Sequence, residues 1–275
     1  MTPPAARPAL LAVLCLLLAA PLGCRTVLPS ATPPLARDDP RPAALVAGLG
    51  ALAAERSSLR ASARVSIEGQ RGASFARQLV LLERPSRLRL EVLGVLGQRV
   101  AVLASDGAHY DLYRAEKPGL ESGEVHPGIL YEVAGLAITP EEVIQLALGA
   151  PLAPGASAPG IAGAAELPEG GVRVELGYRA GELRRVVEFD AGGALVRYAA
   201  RDAEGGLVLE ARFTDYRDVA GSRFAFHIEV SLPAAESRAE IQFQSVELNP
   251  ALPAELFRLP QRIPAAGAPW RRSAS

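Results

Sequence analysis

Five stretches of this chain alternate apolar and polar residues with a period of two, and that period commits them to strands with one dry face and one wet face. Ala63, Val65 and Ile67 alternate with Arg64, Ser66 and Glu68. Leu88, Leu90 and Val92 alternate with Arg87, Arg89 and Glu91. The same rhythm places Val172, Val174, Leu176 and Tyr178 on one face, and Leu207, Leu209, Ala211 and Phe213 on another. It recurs in Phe224, Phe226, Ile228, Val230 and Leu232. Turn signals at Glu68-Gly69-Gln70, Ser105-Asp106-Gly107, Asp190 to Gly193 and Glu204-Gly205-Gly206 join neighbouring strands by short hairpins. Ten to eleven antiparallel strands are expected.

Helical spacing interrupts this pattern twice. Leu45, Leu49, Leu52, Arg56 and Leu59 predict a helix over about residues 42–59. It contains Gly48, Gly50 and Ala53 at dinucleotide-fingerprint spacing, but no strand precedes them, so the context for nucleotide binding is missing. In mid-chain, residues 127–134 read as a short helix. Thr139, Pro140 and Glu142 then form a capping-box start, and Gly149 a stop. An Ala/Pro/Gly stretch over residues 150–165 reads as a mobile loop. The expected fold class is mainly β with helices (α+β), a strongly curved antiparallel half-barrel sheet of about 11 strands under a short helical lid.

Strand parity then names a cavity lining of Val65, Ile67, Leu88, Leu90, Val92, Val174, Leu176, Leu209, Phe213, Phe224, Phe226 and Ile228, with Ile144 and Leu148 in the lid. Helices this few and short would leave space beneath them for a lipid-sized ligand.

The N-terminus speaks for export. Arg7 precedes an apolar run from Ala9 to Ala20, too short to span a bilayer and suited to a signal-peptide core. Pro21-Leu22-Gly23-Cys24 resembles a bacterial lipobox, although Pro21 occupies the place where that pattern has leucine. Residues 1–23 are therefore read as a signal peptide, and Cys24 as an acylated, palmitate-bearing lipid anchor. Residues 24–41 read as a proline-rich tether, residues 42–260 as the folded domain and residues 261–275 as a flexible tail. Arg25 after the cysteine favours the outer membrane, with the domain facing the periplasm. With Lys+Arg 29 against Asp+Glu 30, the chain lacks the basic surplus that nucleic acid demands.

Three segments carry a resemblance. Arg84 to Glu91 is similar to a "P-x-R-hydrophobic-R" strand. Val95-Leu96-Gly97-Gln98 with Val102 to Gly107 follows it, and Asn249 to Phe257 resembles a C-terminal signature. In this order they resemble the LolA/LolB lipoprotein-carrier family over roughly residues 42–260. The resemblance implies a half-barrel that binds the acyl chains of lipoproteins, and lipidation points to the LolB type, a chaperone of lipoprotein transport that receives cargo and places it in the outer membrane. It also implies a soluble LolA-like carrier as partner, and a membrane-insertion loop at Val95 and Leu96. A hairpin leucine folded back on the core is the alternative for Leu96. Another lipid as ligand, or a structural lipoprotein whose cavity is filled by its own side chains, is the alternative for the chain.

No catalytic motif accompanies these features. HExxH, GxSxG and a phosphate loop are absent, and His109 with Asp111 supplies two metal ligands where a site needs more. The chain is expected to be a monomer that is not an enzyme, with no cofactor and no metal.

Overall fold

The structure is a computed structural model that describes residues 33–260 apart from 71, 153–159 and 178–182. Helix α1 (Pro40–Glu55) opens the described chain. Asp39 caps it by accepting from the Arg41 N–H, and Pro40 takes the first helical position. Pro42, Val46, Leu49 and Ala53 form its buried stripe. Strands β1 (Ser58–Gly69), β2 (Gly72–Glu83), β3 (Arg87–Leu93), β4 (Arg99–Ser105), β5 (His109–Arg114) and β6 (Lys117–Glu124) then run as a meander. Helices α2 (Ile129–Ala134) and α3 (Pro140–Ala147) follow.

A second meander completes the chain: β7 (Ile161–Glu166), β8 (Val172–Leu176), β9 (Arg184–Phe189), β10 (Leu195–Arg201), β11 (Leu207–Val219), β12 (Ser222–Leu232) and β13 (Ser237–Leu248). All thirteen strands belong to one antiparallel sheet, ordered β6-β5-β4-β3-β2-β1-β13-β12-β11-β10-β9-β8-β7. The expected eleven strands are thus exceeded by two. Gly-rich β6 and Ala-rich β7, the two edges, alternate too weakly to be read from their sequences.

The first and last strands pair in the middle of the sheet, from Leu59 opposite Leu248 to Glu68 opposite Arg238. The sheet stays open between β6 and β7, and the segment joining those edges carries α2 and α3. Its curvature follows from the core. Leu112 on β5 and Val230 on β12 line one cavity, yet six strand spacings of about 4.8 Å would hold them about 29 Å apart in a flat sheet. Edge strand β7 is partly covered. The Leu35 N–H donates to the Ala164 carbonyl, and the Glu166 N–H to that of Pro33. These bonds fall in the stretch read as a tether; Cys24, the signal peptide and the tail lie outside the described residues.

Helix α1 starts two residues before the sequence reading and ends four before it. Arg56 and Ser57 turn the chain, and Ser58 and Leu59 already belong to β1. Gly48 and Gly50 sit in the middle of α1.

Candidate functional site

The concave side of the sheet is occupied unequally. Helix α1 lies against β7 and β8. On that side the inward positions are large and buried: Phe189, Phe213, Phe224, Val174, Leu176, Leu209 and Ile228 are each 3% exposed or less. Beneath α2 and α3 the inward positions include Ala76, Ala101, Ala239, Val65, Val80 and Val92, and they line an apolar cavity of about 310 Å³. Phe243 stands at the boundary, its ring meeting that of Phe224 edge-on at 5.5 Å. A second cleft of similar volume follows α1, but its wall carries Arg56, Arg223 and Tyr216 among the apolar side chains. Burial pushes the Tyr216 hydroxyl up to about 12.

Of the twelve positions named by strand parity, Val65, Ile67, Leu90 and Val92 line the apolar cavity. Leu88, Val174, Leu176, Leu209, Phe213, Phe224, Phe226 and Ile228 do not; they are buried in the packed core. Parity identifies the dry face of each strand correctly but says nothing of what packs on it. A similar correction applies to the lid. Ile144 and Leu148 are fully buried, and the α3 stripe facing the cavity is Val143, Leu146 and Ala147. The two stripes are neighbours on the helix, one position apart.

The lid is held at one end by two arginines, Arg56 buried and Arg84 half-buried. Thr139 caps α3 in a reciprocal box with Glu142. At its other end Arg56 Nη1 donates to the Leu148 carbonyl at 2.9 Å, while Nη2 reaches Ser222 Oγ and the Arg223 carbonyl. Arg84 Nη2 and Nη1 donate to the carbonyls of Ala150 and Leu152, and its Nε to that of Arg56. Among the described residues neither arginine has a carboxylate partner; carbonyl dipoles at a helix C-terminus stand in for one. Burial, with the Arg56 charge beside it, lowers Arg84 to about 10, and burial lowers Arg56 as well. Both remain cations at neutral pH. Gly149, at φ +66°, is required in this arrangement, because a Cβ there would sit 3.0 Å from the Arg56 guanidinium. Sequence reading placed Arg56 on an apolar helical stripe and Arg84 in the Arg-Pro motif without assigning either a role.

The β3–β4 turn points away from the core. Val95 and Leu96 are 93% and 91% exposed. The turn closes through Gly94 N–H to the Gln98 carbonyl, and the Gln98 Oε1 accepts from the Leu96 N–H. Leu96 is therefore not folded back on the core.

On the convex side, residues after β13 cross β3, β4 and β5 as a strap. Arg89 donates to the Leu256 carbonyl, and Leu259 packs on Val102 and Ala104. Asp111 accepts from Arg258 Nε, the Leu259 N–H and Ser122 Oγ. Burial works to raise this carboxyl, but those hydrogen bonds outweigh it and hold Asp111 below the ordinary aspartate range. Asp111 is thus committed to the strap. His109 is exposed on the same strand, and among the described residues no three metal-ligating side chains gather.

The same architecture is found in solved structures. The fold is LolA-like. A LolA superfamily protein from Nitrosomonas europaea matches 78% of this chain and 96% of its own at TM-score 0.52 and 10% identity. A domain from Vibrio parahaemolyticus assigned to outer membrane lipoprotein sorting matches the same shares at TM-score 0.52 and 11% identity. A DUF1329 family protein from Desulfovibrio piger matches 78% of this chain and 94% of its own at TM-score 0.51 and 11% identity. No family model matches the sequence, and no curated protein does either.

Proposed function

We propose that this chain is a lipid-anchored envelope protein that takes acyl chains into the cavity beneath α2 and α3 and delivers them to a membrane, in the manner of a LolB-type lipoprotein receptor. The observation that carries the reading is the pairing of an apolar cavity with an exposed apolar hairpin in one LolA-like sheet. The work is done by burial. Each methylene moved from water into the cavity contributes about 0.8 kcal/mol, so no covalent step is needed to bind a chain or pass it on.

The residues divide the task. Val65, Leu90, Val92 and the α3 stripe of Val143 and Leu146 supply the apolar wall. Arg56 and Arg84 fix the C-terminal end of the lid, leaving its α2 end to move for entry. Leu96 brings the loaded domain to the bilayer, and acylated Cys24 keeps it there. The outer membrane, seen from the periplasm, is the proposed location, and a soluble LolA-like carrier the proposed donor.

The test is a transfer assay on liposomes bearing the anchored protein. A carrier from the same organism, loaded with a labelled lipoprotein, is offered to the parent, to Leu96→Glu and to Ala76→Phe, which fills the cavity. Label should reach the liposomes with the parent only. Uptake of a fluorescent fatty acid without any lipoprotein transfer would replace the cargo by another lipid. Loss of neither activity in Ala76→Phe would refute the cavity's role.

A further inference from the structure

Three of the five large apolar side chains exposed among the described residues meet at one rim of the sheet. They are Phe75 at 69%, Val95 and Leu96. The β2–β3 register sets Arg77 opposite Leu93, so Phe75, two residues before the one, and Val95, two residues after the other, stand at the same level. Phe75 lies on the β1–β2 hairpin, opposite Ser66 and on the convex face, since its neighbours Ser74 and Ala76 line the cavity. Ser74 and Ile67 carry the cavity towards this rim, away from the end of the sheet where Arg56 and Arg84 hold the lid.

One row back from Phe75 on the same face are Arg77 and, directly opposite it, Arg64. Both are exposed, and among the described residues neither pairs with a carboxylate. Like charges directly across a strand pair destabilise a sheet. Of the acids on this face, Glu68 lies two rows from Arg64 and opposite Arg238 on β13, and Glu240, opposite Ser66, meets His227 at 3.0 Å. Phe75 stands three residue pairs short of the Gly69–Gly72 end of the hairpin, with unpaired arginines about 7 Å further back, so that an apolar group precedes cations as acyl chains precede phosphates at a bilayer interface.

We propose that the β1–β2 hairpin is a second membrane-contacting element, in which Phe75 enters the interface beside Leu96 while Arg64 and Arg77 engage anionic headgroups. This rests on the reading that the β3–β4 turn meets the membrane. Two contacts fix an orientation where one leucine leaves the domain free to pivot, and this orientation turns the cavity's rim to the lipid.

The experiment uses the full chain with Cys15→Ser and Cys24→Ser, carrying one fluorophore on Phe75→Cys, Leu96→Cys or Ala191→Cys. Ala191 lies in the β9–β10 turn, at the opposite end of the sheet. Vesicles of phosphatidylcholine with phosphatidylglycerol contain nitroxide lipid as a quencher. Quenching at 75 and 96 but not at 191 is the expected result. Arg64→Glu with Arg77→Glu should weaken quenching at 75 by about fivefold per arginine at low salt and less at high salt. Quenching at 96 alone would overturn the second contact and leave the leucine loop standing. Quenching at neither would overturn both.

Discussion

The two sides of this sheet obey the same alternation and end up with different contents. On the side where the 16-residue α1 lies against β7 and β8, the core holds phenylalanines at 189, 213 and 224, and the inward side chains are buried. Under α2 and α3, helices of 6 and 8 residues cover alanines and valines, and a cavity remains. The difference teaches that a curved sheet becomes an apolar container through side-chain volume and cover; the cleft along α1, of similar volume, has Arg56, Arg223 and Tyr216 in its wall. Interiors pack closely wherever side chains can reach; here alanine at 76, 101 and 239 ensures that they cannot.

Truncation is the strongest way to break this contrast. Phe213→Ala should cost about 3–5 kcal/mol, because it opens a void in a filled interior. Val92→Ala should cost about 1 kcal/mol or less, since one wall of Val92 already faces space. Urea denaturation of both variants measures the gap, and equal losses would mean that the cavity side is as tightly packed as the other. Next in size is the lid. Arg84→Met leaves the carbonyls of Ala150, Leu152 and Arg56 without their donor, at about 1–3 kcal/mol. Hydrogen exchange should quicken around residues 148–152 while the β8–β12 core stays protected; unchanged exchange there would remove Arg84 from lid control.

The smallest effect sharpens the comparison from the convex side. The Asp111 carboxyl is lowered in the folded chain, so its contribution to the strap is complete above the ordinary aspartate value and fades as pH falls through the lowered one. Exchange at the Leu259 N–H should therefore rise on acidification before the sheet melts, and Asp111→Asn should show the fast rate at neutral pH. A Leu259 amide that stays protected until global unfolding would contradict this.

How much of this was legible in the sequence depends on which force decides each feature. The five alternating strands, the Thr139–Glu142 capping box and the β3–β4 turn are local matters, and each lies where its residues place it. The edge strands β6 and β7 were illegible because glycine and alanine carry little alternation. Seven of the eight parity-named residues that left the cavity list did so for a long-range reason: they lie on β8, β11 and β12, more than 110 residues beyond α1. Arg56 looked like one more member of an apolar stripe, since its partners at Leu148, Ser222 and Arg223 are 92 or more residues away. Phe75 had no alternation to betray it, because glycine, alanine and serine surround it.

The pairing of β1 with β13 also sets the order in which this chain can fold. Leu59 waits for Leu248, about 190 residues later in synthesis, before the centre of the sheet exists. Until then two separate meanders each expose an open edge and a dry face, in a topology rich in slow, non-local contacts. The strand made first is completed last, so the interval before β13 arrives is when this protein is most exposed to aggregation and proteolysis.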